Sequence, residues 1–260
     1  MTFVGNEESR LEHRAIFEKL DAMPDGISEG DNLKKLLIVA TPRCGSTLFC
    51  DILNGTNKMG LCDEWYNFEY FRAYCDVHGI DRNEFDITRY MKYVIRKSIR
   101  GTGVFTMKTH VGQLIHVGGT FDISKMSFFH GIYLYRKNKI AQAISLLKAE
   151  KTNQWRFDQQ PDETDFDIKT SELLETLFRI ATTEETATKI FNMDSADKYA
   201  YEDFRNIVHP CYNEVLVKMG KTPSDPSKFT TDLKIQRGFK SAKIEREFRQ
   251  YITGESQCDN

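Results

Sequence analysis

A run of five apolar residues, Leu36, Leu37, Ile38, Val39 and Ala40, passes directly into Thr41-Pro42-Arg43-Cys44-Gly45-Ser46-Thr47 and then into a helical pattern over residues 47–53. Five apolar residues without polar alternation suit a strand covered on both faces. A strand that feeds a helix through so short a loop turns backbone N–H groups toward one point at the helix N-terminus, where an anion is favoured. In the phosphate-loop pattern G-x-x-x-x-G-K-[ST], Gly45 and Thr47 fit, Ala40 stands at the first glycine and Ser46 at the lysine. That lysine grips the terminal phosphates of a nucleoside triphosphate, so its replacement argues against ordinary ATP or GTP chemistry. Arg43 brings a cation back, inside the loop.

The rest of the chain alternates between two periods. Helical spacing predicts helices over residues 9–23, 81–98, 139–151, 171–191 and 244–251, and one that ends near Gly220. Short apolar runs predict strands over 103–109, 128–135 and 198–201. Strands alternating with helices point to an α/β fold, a three-layer sandwich like that of the P-loop proteins. Its central, mostly parallel sheet carries helices on both faces. A Gly/Asp/Ser-rich break at 25–31 divides the chain into an N-terminal helical extension, 1–31, and a main domain, 32–260.

Composition removes several functions. A formal net charge of -2 gives no basic field for nucleic acid. No stretch has the apolar length of a transmembrane segment. Residues 1–31 are acidic and polar, unlike a signal peptide, so a cytoplasmic protein is expected. The six cysteines, Cys44, Cys50, Cys62, Cys75, Cys211 and Cys258, form no C-x-x-C pair and no metal spacing with histidine. Free thiols and no metal site follow.

A second basic anchor appears about 90 residues after the loop. The strand Gly131-Ile132-Tyr133-Leu134-Tyr135 ends in Arg136, and the following helix carries Ala141-Gln142-Ala143-Ile144-Ser145. A Walker B strand would end in a magnesium-binding acid; this one ends in arginine, whose planar fork suits phosphate oxygens. Together with Pro42-Arg43-Cys44-Gly45-Ser46-Thr47-Leu48, Asp63-Glu64-Trp65-Tyr66 and Gln154-Trp155-Arg156, these residues resemble the bacterial carbohydrate sulfotransferases of the trehalose 2-sulfotransferase type. The resemblance runs from about residue 36 to 251.

The resemblance implies a donor, adenosine 3′-phosphate 5′-phosphosulfate (PAPS), with the bisphosphate PAP as product and no metal. It implies that Pro42, Arg43, Cys44, Gly45, Ser46 and Thr47 hold the 5′-phosphosulfate, and that Arg136 and Ser145 hold the 3′-phosphate. Tyr201, in Tyr201-Glu202-Asp203, lies near the adenine, and Arg237 belongs to a basic segment closing over the 3′-phosphate. A sugar or glycolipid hydroxyl as acceptor, and often a homodimer, are implied as well.

Two residues compete as the base that takes the acceptor's proton. Glu64 matches the family's catalytic glutamate. His110, in Lys108-Thr109-His110, is similar to the histidine of animal cytosolic sulfotransferases. Glu64 is preferred because the rest of the match is to the bacterial branch. Lys108 is expected near the transferring sulfate, and Trp65, Tyr66 and Trp155 are expected as platforms for a sugar ring. The rival readings are a small-molecule kinase on a degenerate phosphate loop and a PAP- or phosphate-binding protein without catalysis.

Overall fold

The computed structural model describes residues 7–26, 33–118, 130–155, 166–191, 196–231, 233 and 238–254. The apolar run becomes β1 (Lys34–Ala40), buried along its last five residues. It pairs in parallel with β2 (Val104–His110) on one side and β3 (His130–Tyr135) on the other; β4 (Asp197–Ala200) extends the sheet beyond β3. The spatial order is β2-β1-β3-β4. That order changes direction at β1, which opens a crevice at the carboxyl ends of the strands. Open α/β sheets bind their ligands there.

The strand period of two divides the core between the two faces. Leu37, Val39, Phe105, Met107 and Tyr133 point to one side and pack on α1 (Glu7–Asp21), α3 (Phe68–His78) and α4 (Ile87–Ser98). Leu36, Ile38, Ala40, Val104, Ile132 and Leu134 point to the other and pack on α2 (Ser46–Gly55) and α9 (Cys211–Lys218). A third cluster joins α6 (Lys139–Thr152), α7 (Thr170–Phe191) and α10 (Phe239–Thr253). This is the expected α/β sandwich with helices on both faces of a parallel sheet. Phe17 and Leu20 of α1 are fully buried in the first layer.

Four local expectations are corrected. The helix expected over 81–98 starts later. Asp81 begins a single 3-10 turn, Arg82–Glu84, and Phe85 is extended. The Asp86 side chain then caps α4 by accepting from the Thr88 and Arg89 N–H groups. Helix α3 was not anticipated, although Asn67 caps its start and Gly79, at φ 62°, ends it. Helix α5 (Val111–Gly118) follows β2 with no turn residue between them, so the sequence offers no boundary. The stretch after β4 breaks into α8 (Tyr201–Phe204) and α9, with Pro210 at the start of the second.

Cys44, Cys50, Cys62, Cys75 and Cys211 are free, as expected. Among the described residues no helix is long and apolar enough to cross a membrane. No group of three or more metal-ligating side chains occurs among them either.

Candidate active site

The loop between β1 and α2 lies at the carboxyl edge of the central strand. Two of its residues take a left-handed backbone, Arg43 at φ 63° and Gly45 at φ 82°. A left-handed non-glycine residue costs about 1–3 kcal/mol and persists only where its surroundings hold it. The Arg43 side chain is so held. Its Nε donates to Ser145 Oγ at 3.0 Å and its Nη1 to the Trp155 carbonyl at 2.6 Å. Gly45 is required twice over, by its φ and by Tyr201: a Cβ at position 45 would come within 2.4 Å of Tyr201 Cδ2.

Arg136, at the end of β3, reaches the same place. Its Nη1 donates to the Arg43 carbonyl at 3.3 Å, and its guanidinium lies 4.9 Å from the Tyr201 ring centroid. Glu202 Oε1 is 4.0 Å from Arg136 Nε, and the same carboxylate accepts from the Lys137 and Asn138 N–H groups. Burial first, and the charge of Arg136 second, push the Arg43 guanidinium down to about 10. Two cations crowded into a low-dielectric corner make a place that an anion would stabilise. Cys44 carries no charge there, because burial pushes its thiol up to about 12.

The second half of the site is a buried ion cluster. Lys108 on β2 and Glu64, between α2 and α3, meet at 2.6 Å. The Lys108 ammonium also donates to Thr47 Oγ1 at 3.2 Å, so one cation links the loop to the carboxylate. The His110 ring lies between the Ala40 carbonyl, 3.2 Å from Nδ1, and Glu64 Oε1, 3.3 Å from Nε2. Burial alone would raise the Glu64 carboxyl, but Lys108 and His110 hold it well below the usual carboxylate range. Burial alone would lower Lys108, but Glu64 holds it above its ordinary value. The main chain straps the two segments together as well, since the Lys108 N–H donates to the Asp63 carbonyl at 3.0 Å.

The structure therefore brings together Arg43, Arg136, Ser145, Tyr201 and Trp155 in one group, and Thr47, Lys108, Glu64 and His110 in another. Trp155 is 41% exposed. Trp65 and Tyr66 correct an expectation: they are 0% and 1% exposed, inside the aromatic layer between α3 and α4, and offer no ring face to a sugar. Their neighbourhood explains it, because α3 and α4 bring Tyr70 and Tyr90 onto this segment, and the Tyr90 hydroxyl donates to the Trp65 carbonyl. Arg237 and Arg156 lie outside the described residues.

Three polar residues were missed. Gln142, fully buried on α6, donates from Nε2 to Thr41 Oγ1 at 2.8 Å and to the Pro42 carbonyl at 2.9 Å, tying the loop to the helix that carries Ser145. Its signal was available, three residues before Ser145 on the same helix face. Gln113 and Asn67 both donate to Glu64 Oε2, at 3.0 and 3.3 Å. Nothing in their sequence context marks them.

The model of the Stf0 sulphotransferase family matches residues 35–121 and 123–250. No curated protein matches the chain. Among solved structures, it is similar to the sulfotransferase domain of the Synechococcus PCC 7002 olefin synthase, with 12% identity, 87% of this chain and 98% of that one covered, and a TM-score of 0.48. It is also similar to the sulfotransferase STF9 from Mycobacterium avium, with 8% identity, 96% and 82% covered, and a TM-score of 0.43.

Proposed function

Because the chain belongs to the Stf0 sulphotransferase family, we propose that it moves the sulfuryl group of PAPS to a hydroxyl of a carbohydrate or glycolipid. The observation that carries the reading is the convergence of Arg43, Arg136 and Ser145, remote in sequence, beside a loop of left-handed residues. A nucleotide with phosphate at both its 3′ and 5′ positions fits two crowded guanidiniums better than a neutral ligand does, since its charge relieves their repulsion.

In this reading Arg43, the loop N–H groups and the Ser46 and Thr47 hydroxyls bind the 5′ end. Arg136 and Ser145 bind the 3′-phosphate, and Tyr201 lies beside the adenine. The donor supplies a sulfuryl group already attached to a good leaving phosphate. The residues position the two reactants and meet the charge that grows on that phosphate. Lys108 is placed to follow the same charge, because it already touches Thr47.

Glu64 accepts the acceptor's proton. A carboxylate held as low as Glu64 is a weak base while Lys108 neutralises it. Drawing the ammonium toward the anionic donor weakens that hold and raises the basicity of Glu64 when the donor is in place. His110 shares Glu64 Oε1 and supports the carboxylate rather than competing with it. Trp155, whose carbonyl holds Arg43, supplies an aromatic face for the sugar.

Calorimetric titration with PAP, against AMP, ATP and GTP with and without Mg²⁺, tests the reading. Tight, metal-independent binding that needs the 3′-phosphate is expected. Preference for ATP with Mg²⁺ overturns it in favour of a kinase. PAP binding without transfer to any acceptor leaves a nucleotide-binding protein.

A further inference from the structure

We propose that Gln113 is a positioning residue for the Glu64 carboxylate, resting on the reading in which Glu64 takes the acceptor's proton. Gln113 lies in the first turn of α5, three residues after His110. Its amide oxygen accepts from the His110 N–H at 2.9 Å and from the Thr109 hydroxyl at 3.2 Å. These two donors fix the amide's orientation, so its Nε2 must face the other way, where it donates to Glu64 Oε2 at 3.0 Å. The two carboxylate oxygens are thus divided. Oε1 takes the Lys108 ammonium and the His110 imidazole. Oε2 takes neutral amides, Gln113 from α5 and Asn67 from the start of α3.

That division has a chemical consequence. The oxygen pinned by an ammonium is the poorer proton acceptor, and Oε2 is the one left to receive a proton. Its direction is set by two amides attached to different elements. Gln113 carries more of this than Asn67, because its bond is shorter and because the same amide also ties down His110. The charged and titratable groups around Glu64 are Lys108 and His110 on β2, Asp63 beside it in the chain, and Tyr70 on α3. Gln113 and Asn67 are the neutral side-chain partners of this carboxylate among the described residues. A misdirected carboxylate costs rate without costing donor affinity, since reaction geometry displaced by about 1 Å loses on the order of 10²-fold.

Two substitutions separate positioning from mere packing. Gln113→Glu keeps the acceptor for His110 and Thr109 but sets a carboxylate against Glu64. Gln113→Met keeps the length and removes both hydrogen-bonding functions. Each is checked for folding by thermal melting and for PAP binding by calorimetry. With PAPS and trehalose as probes, kcat is expected to fall roughly 10- to 100-fold in both variants, with the KM for PAPS nearly unchanged. The acid limb of the pH profile should move up in Gln113→Glu, because a neighbouring carboxylate disfavours a second negative charge. If the wild type does not turn over trehalose, the decision passes to the ¹³C carboxyl resonance of Glu64, assigned through Glu64→Gln. Its titration should move upward in Gln113→Met and further in Gln113→Glu. A folded variant with unchanged kcat, or an unchanged Glu64 titration, overturns the proposal. A fall in PAP affinity that matches the fall in kcat reduces Gln113 to a structural role and also overturns it. Failure of wild-type PAP binding removes the underlying sulfotransferase reading instead.

Discussion

The two halves of the site treat charge in opposite ways. Around Arg43 and Arg136 like charges are crowded, and burial makes the crowding worse. Around Glu64 an ammonium lies 2.6 Å and an imidazole 3.3 Å from one carboxylate oxygen, and the carboxylate and ammonium charges compensate. The first half is a place that an anion would stabilise. The second is built to stay satisfied until something changes its balance. Lys108 touches Thr47 on one side and Glu64 on the other. In the proposed reading, binding and chemistry reside in different clusters, and the Lys108 ammonium couples them.

The sharpest way to break the comparison is Glu64→Gln. Turnover should fall about 10²- to 10⁴-fold, the usual range for loss of a general base, while PAP affinity holds or improves as Lys108 is released. His110→Ala should be milder, and the reverse order would move the base to His110. Because Glu64→Gln leaves an ammonium buried without its carboxylate, it also destabilises the fold. The Glu64→Gln/Lys108→Met double variant should recover stability in chemical denaturation without recovering turnover. Recovery of both would end the catalytic role of the pair.

Arg43→Ala addresses the other half. Donor kcat/KM should fall roughly 10²- to 10³-fold, with PAP affinity visibly weaker in calorimetry, since charge stabilisation at the leaving phosphate is lost. Equal PAP affinity in variant and wild type would dissociate Arg43 from the donor. Gly45→Ala comes next in size. The left-handed backbone and the contact with Tyr201 should cost about 1–3 kcal/mol in equilibrium unfolding, and PAP binding should weaken with it.

The smallest effect is the pH dependence of stability. Glu64 is held below its unfolded value of about 4.3, so its contribution is present above that pH and is lost as pH falls through the depressed folded value. Lys108 is held above its unfolded value of about 10.4, so its contribution is full below that pH and is lost only as pH rises through the raised value. The ion pair should therefore contribute evenly across neutral pH. Thermal melts of the double variant against the wild type should converge in acid. A difference that persists as pH falls through the depressed Glu64 value would contradict the assignment.

The sequence disclosed the local part of this design. β1 and its loop were readable because a continuous apolar run ends at Pro42 and Gly45, and Arg136 because it terminates a second such run. What it did not disclose is long-range. Glu64 and Lys108 are 44 positions apart, and nothing in their spacing says that the segment after α2 lies along β2, which is what makes them a pair. Trp65 and Tyr66 looked available for a sugar because α3, which covers them, was not recognised. Gln113 and Gln142 are ordinary polar residues in helical surroundings, and only the fold turns their amides onto a carboxylate and a loop. The break at Phe85 was hidden because an apolar residue at helical spacing is indistinguishable from one in an extended turn.

The contact between Gly45 and Tyr201 reaches beyond the loop itself. Tyr201 opens α8 immediately after β4, 156 positions downstream, and its ring rests on the loop while Arg136 rests on its ring. A substitution at 45 is thus felt at the far edge of the sheet, and a smaller side chain at 201 would open space that a larger residue at 45 would fill only by abandoning its left-handed turn. The two positions are free to drift only as a pair, and the turn permits even that only within glycine.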